Sequence, residues 1–86
     1  MNHHLYILYS SRINKYYIGY TTNPSRRLEE HNSSKNKNWT RRGQPWELKF
    51  SKPYETERAA KKAEVKLKKL KNRKVIEQIL ESGKFY

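Results

Sequence analysis

Leu5-Tyr6-Ile7-Leu8-Tyr9 and Tyr16-Tyr17-Ile18-Gly19-Tyr20-Thr21, separated by the largely polar Ser10 to Lys15, decide how this chain folds. Both runs are dense in aromatic and β-branched residues and too short for helices, so they read as two strands of a hairpin. With the turn centred on Ser11 and Arg12, Tyr6 is expected opposite Tyr17, and opposed residues of an antiparallel pair share a face. Gly19, two residues beyond Tyr17, belongs to that face as well. A missing side chain inside a strand marks either close approach by a ligand or another backbone, or a bulge.

Asn23-Pro24 is a helix start, because Asn can cap the first amides and Pro suits the first helical position. The helix is expected from Pro24 to about Asn32, with Leu28 its only strongly apolar residue. Arg26 and Glu30 form an ordinary i,i+4 ion pair. Arg27 and His31 are also four apart, and two cation-capable groups on one face suit a shared anion such as a phosphate. Ser33 to Asn38, with Lys35 and Lys37, is polar and without periodicity, and reads as a mobile loop. In Trp39-Thr40-Arg41-Arg42-Gly43-Gln44-Pro45-Trp46, aromatic and Arg residues interleave, as on surfaces that stack on bases and pair with phosphates. Arg41 and Arg42 are assigned to phosphate contact and Trp46 to the edge of the core. Glu47 to Ser51 is a third strand around Leu48 and Phe50, expected to end before Pro53.

Thr56 can cap a long helix with an apolar stripe of Ala60, Ala63, Leu67 and Leu70, and Asn72 a second with Val75, Ile76, Ile79 and Leu80, stopping at Gly83. Eight residues between Lys61 and Lys74 are basic, among them Lys61 and Lys68. Such a run is either a solvated face or a polyanion contact. Glu64 falls at the border of the buried stripe, with an i,i+4 pair to Lys68 as its ordinary explanation.

The 86 residues leave room for one domain, residues 1–86, burying ~60 to 65% of the surface of the unfolded chain. Absence of Cys excludes a disulfide framework and thiolate metal sites. No apolar run matches a transmembrane helix or a secretory signal, so a cytoplasmic protein without membrane association is expected. The 20 Lys+Arg against 8 Asp+Glu give a net charge of +12, with a pI near 10.1. That excess exceeds what solubility needs and points to a polyanion, nucleic acid ahead of anionic membrane.

In order and context these residues resemble the GIY-YIG endonuclease superfamily, in particular its small stand-alone bacterial proteins. His4-Leu5-Tyr6 keeps the tyrosine of the first motif without its leading glycine, and Tyr17-Ile18-Gly19 is the complete second motif. The family arginine falls on Arg27, its histidine on His31 and its metal-binding glutamate on Glu64; its closing asparagine has no counterpart. Thr40 to Trp46 looks like the Thr, Arg-rich, Pro-Trp segment of the small-protein branch.

The resemblance implies an α+β fold, a three-stranded antiparallel sheet flanked by helices in the order β-β-α-β-α-α. It implies one Mg²⁺ or Mn²⁺ held by Glu64, and Tyr6, made more acidic by nearby positive charge, as general base assisted by Tyr17 or His31. Arg27 would stabilise the charge developing on the phosphate. Lys35, Lys37, Arg41, Arg42, Lys61 and Lys68 would bind the backbone of nucleic acid, DNA ahead of RNA. The expected activity is a DNA endonuclease of low sequence specificity, structure-selective or guided by a protein partner, in DNA repair or processing, and a monomer or weak dimer. The alternative is a non-catalytic basic nucleic-acid-binding module that keeps the fold; a third reading, an RNA- or ribosome-associated basic protein, fits the charge alone.

Overall fold

A computed structural model describes residues 2–70 and 72–85. Strand β1 (His3–Ser10) and strand β2 (Lys15–Thr21) form the hairpin; helix α1 (Pro24–His31) follows, then a short 3₁₀ turn (Trp39–Gly43), strand β3 (Glu47–Tyr54), helix α2 (Glu57–Lys69) and helix α3 (Arg73–Ser82). The sheet is antiparallel in the order β2-β1-β3, so the apolar strand β1 is central. Architecture and element order are those read from the sequence.

The caps form as expected. Asn23 accepts from the Arg26 amide, Thr56 from that of Ala59 and Asn72 from that of Lys74. Gly83 closes α3 at φ 70, in the left-handed region that favours glycine. Arg26 and Glu30 pair at 3.6 Å.

The hairpin register differs from expectation. Tyr6 pairs with Gly19 and Leu8 with Tyr17, so the turn spans Ser11 to Asn14 and Asn14 takes a positive φ of 53. Shifting the partner by two residues preserves the pleat, and Tyr6 and Tyr17 still share one face.

Each face of the sheet has its own apolar layer. Leu5, Ile7 and Ile18 pack under α2 and α3 with Ala63, Leu67, Ile76 and Ile79. Tyr6, Leu8 and Trp46 form the other layer, covered by Ile13, Tyr17, Leu28 and Leu48. Leu48 and Phe50 are two apart yet lie in opposite layers, because the β1–β3 pairing skips from Ile7↔Phe50 to Leu8↔Leu48. Lys49 is the extra residue of a β-bulge, which reverses the phase of the pleat.

Two boundaries are corrected. β3 runs through Pro53 to Tyr54 rather than ending before it, since an edge strand can leave the missing amide facing away from the ladder. Leu70 caps α2 and is 44% exposed, outside the apolar stripe that Ala60, Ala63 and Leu67 complete. Of the basic run, Lys71 lies outside the described residues.

Candidate functional site

Gly19 is where the site begins. A Cβ added there would lie 2.6 Å from Tyr6 Oη and 2.8 Å from its Cζ, so the phenol lies directly over the glycine of the neighbouring strand. Close approach of a side chain, and not a bulge, accounts for the absent Cβ. The Tyr6 ring sits 6.2 Å from that of Tyr17 and 6.5 Å from that of His31, while Tyr17 and His31 are 4.6 Å apart.

α1 brings the next two groups. Its exposed amide end is capped by Asn23, and its last turn carries His31 inward beneath Tyr17 while Arg27 stays on the rim. Arg27 Nη1 pairs with Glu30 at 3.4 Å and its guanidinium interacts with Tyr6. Tyr17, Arg27, Glu30, His31, Lys35 and Lys37 line one open depression of about 340 Å³.

His31 is not the second exposed cation expected beside Arg27. It is 6% exposed, and burial followed by the charge of Arg27 lowers its pKa, with Glu30 acting the other way. The imidazole is neutral near pH 7. Asn36 Nδ2 spends its hydrogens on the His31 carbonyl (2.9 Å) and on Thr40 Oγ1 (2.8 Å). Thr40 Oγ1 also lies 3.3 Å from His31 Nδ1, which donates or accepts there according to the ring tautomer. Nε2 is buried without a hydrogen-bond partner.

Residues Ser33 to Asn38 form a bonded structure instead of the expected mobile loop. Gln44 Nε2 donates to the carbonyls of His31 and Ser33, each at 2.8 Å. Asn32 and the Trp46 backbone exchange two hydrogen bonds, of 3.0 and 2.6 Å. Trp46 Nε1 donates to the Thr40 carbonyl at 2.6 Å, which places its indole in the core as expected. Thr40, Asn36 and Gln44 thus hold the histidine while Asn32 holds Trp46, and sequence reading gave none of them a role. The one available signal was a dense set of Asn, Gln and Thr around a histidine.

Tyr6 also departs from expectation. Its phenol is pushed up to about 12, first by burial and then by Tyr17, and the hydrogen bonding and charge of Arg27 only partly offset this. The tyrosine is neutral, not acidified, in the free protein.

Glu64 approaches from α2, on the far side of the sheet. Its charge raises the pKa of Tyr6 on one face, and contributes after burial and Glu57 to raising that of Tyr20 on the other. Its charge is therefore felt on both faces of the sheet, at Tyr6 and at Tyr20. Its side chain is 16% exposed, and the pair with Lys68 forms at 3.6 Å. Among the described residues no three His, Cys, Asp or Glu side chains gather into a metal cage. A single partly exposed carboxylate still fits Mg²⁺, which is ordinarily held by one or two carboxylates plus waters and phosphate oxygens.

The basic candidates divide. Lys35 and Lys37 belong to the depression itself, and Lys37 also lines a second hollow with Arg41 and Arg42. Lys68 lines a third, with Tyr17 and Arg73. Lys61 is exposed one turn before Glu64 and shares its stripe of α2, but lines none of these hollows.

A family model described as the GIY-YIG catalytic domain matches residues 2–77. A UPF0213 protein of Bacillus cereus is 36% identical over 85 residues, 99% of this chain and 88% of that protein. Another, from Enterococcus faecalis, is 40% identical over 83 residues, 94% of this chain and 92% of that protein. A solution NMR structure of a UPF0213 protein from Bacillus halodurans, 33% identical, superposes with a TM-score of 0.57 over 92% of this chain and 83% of that one.

Proposed function

Since the chain belongs to the GIY-YIG family, we propose that it is a metal-dependent endonuclease, a single nuclease-like domain that hydrolyses phosphodiester bonds in DNA with little sequence preference. The observation that carries this reading is an open depression walled by Tyr17, Arg27 and His31, with the buried Tyr6 packed against Tyr17 and interacting with Arg27, and with Glu64 acting on the same Tyr6 phenol.

Glu64 would hold Mg²⁺ or Mn²⁺, which when bound supplies Lewis-acid polarisation of the phosphate and its leaving oxygen. Arg27 grips the phosphate oxygens through its fork of donors, and its charge persists at every working pH. His31, its Nδ1 hydrogen-bonded to Thr40, donates from Nε2 to an oxygen of the bound phosphate. Tyr6 binds the attacking water by its phenol oxygen and accepts its proton when ionised. With a pKa near 12, only a small fraction of the free protein is ionised at neutral pH, so the base is strong but scarce. Tyr17 packs against both Tyr6 and His31, which also face each other, so the three rings brace one another. Lys35, Lys37, Arg41, Arg42, Lys61 and Lys68 neutralise flanking phosphates, and the cytoplasm is the compartment assigned.

A panel of linear, nicked, flapped, branched and single-stranded DNAs, incubated with Mg²⁺, Mn²⁺ or chelator beside Glu64→Ala, tests this. Cleavage that needs metal and vanishes in Glu64→Ala is expected. Cleavage indifferent to that substitution would overturn the site, and salt-sensitive binding without any cleavage would favour a basic binding module.

A further inference from the structure

Trp39 takes no part in the reacting cluster, yet 52% of it is exposed, against 2% for Trp46. The indole is braced all the same. It meets Trp46 nearly edge-on at 6.0 Å and Tyr17 at 6.1 Å. Trp46 is in turn anchored to Thr40 and Asn32, so the support beneath Trp39 is part of the core. A large apolar ring held rigidly in water, on a chain with a net charge of +12, calls for an occupant.

The surroundings say which. On one side of Trp39 lies a hollow of about 620 Å³ lined by Arg12, Lys37, Arg41 and Arg42. On the other lies one of about 800 Å³ lined by Lys15, Tyr17, Lys68 and Arg73. Lys37 and Tyr17 are also walls of the depression that holds Arg27 and His31. Trp39 is therefore a ridge between two cationic hollows, each adjoining the candidate site. Cations at phosphate positions with an aromatic face between them match the alternation of charge and flat π-surface along a polynucleotide. Bases within a duplex have both faces covered by their neighbours, so only an unpaired base can lie on such a ring.

We infer that Trp39 is a stacking platform for an unpaired nucleobase, so that this face binds single-stranded nucleic acid in preference to fully paired duplex. The inference rests on the reading that the face takes nucleic acid, and it specifies the form taken. Lys15, Lys68 and Arg73 on one flank and Arg12, Arg41 and Arg42 on the other hold the phosphates on either side of the stacked base.

The test is binding in chelator, where cleavage is silent, so that failure of the nuclease reading leaves the result intact. Anisotropy of a labelled oligothymidylate is compared with that of a blunt hairpin duplex of equal phosphate number whose loop is a base-free linker. Trp39→Ala should weaken the oligothymidylate by about 5- to 150-fold, the range for one stacked base, with the salt slope unchanged and hairpin binding altered less than about twofold. Trp39→Phe should recover most of the loss. Equal losses on both ligands, or none on the oligothymidylate, would overturn the inference. A second readout needs no variant: saturating oligothymidylate should quench the tryptophan emission of the unaltered chain more than saturating hairpin does. Equal quenching by the two would equally overturn it.

Discussion

Tyr6 and Gly19 are cross-strand partners, and the tyrosine occupies the volume that any side chain on Gly19 would need. An Ala at an ordinary strand position gains about 0.5–1 kcal/mol over Gly. Here the added Cβ would sit 2.6 Å from Tyr6 Oη, and overpacking of this kind costs about 1–3 kcal/mol unless the ring moves. Gly19→Ala is expected either to lose stability on that scale or, by displacing the phenol, to lose cleavage by at least about tenfold while staying folded. Urea denaturation and a cleavage assay on the same preparation check both. An Ala variant as stable and as active as the parent would remove Gly19 from the site.

Proton affinity at Tyr6 sets a pH dependence. Its folded-state pKa of about 12 lies above the 10.0 of an ordinary tyrosine, so the neutral phenol is favoured by folding. The associated stability is complete below about pH 10 and is lost as pH rises toward about 12. If the ionised phenol accepts the proton of water, the rate should climb close to tenfold per pH unit between about pH 7 and 9, because the ionised fraction does so. A flat profile across that interval, at saturating metal, would remove Tyr6 as the base and leave it a hydrogen-bonding group.

His31 gives the opposite sign. Burial, then Arg27, lowers its pKa, so the folded state resists protonation more than the unfolded chain does. No stability is lost to this residue above its ordinary pKa of about 6.5, and stability falls as pH drops below that value. His31→Gln should flatten the acid limb of a plot of melting temperature against pH. Thr40→Val keeps the shape but deletes the hydroxyl that faces Nδ1; imidazole nitrogen NMR should then report a changed tautomer balance. An unchanged tautomer would assign the histidine to some other restraint.

Much of this was legible in the chain because it depends on neighbours in sequence. Caps at Asn23, Thr56 and Asn72, the glycine stop at Gly83 and the apolar runs of β1 and β2 are local signals, and all are realised. What went wrong depends on contacts distant in sequence. The hairpin phase turned on a single positive φ at Asn14, and the bulge at Lys49 on which layer Leu48 and Phe50 each had to fill. Exposure of His31 was misread because Thr40, Asn36 and Gln44, nine, five and thirteen residues away, bury it. The acidity of Tyr6 was misjudged for the same reason: positive charge nearby is visible in sequence, but burial, which outweighs it, is not.

Arg27 and the pair Arg41 and Arg42 carry the same charge in different settings, and kinetics should separate them. Arg27 shares the depression with His31 and interacts with Tyr6, whereas Arg41 and Arg42 line a hollow beyond Lys37 and Trp39. A group that meets charge developing at the reacting phosphate acts mainly on the chemical step. Its removal in Arg27→Ala should lower kcat by about 10²- to 10³-fold. A group on a flanking phosphate contributes affinity through counterion release, so Arg41→Ala or Arg42→Ala should raise KM, leave kcat within about twofold, and flatten the dependence of log affinity on log salt by about one. Single-turnover cleavage and binding titrations at several salt concentrations distinguish the two. Equal effects of Arg27→Ala and Arg41→Ala on kcat would mean that the depression around His31 is one more patch of binding surface and not the place where the phosphodiester is cut.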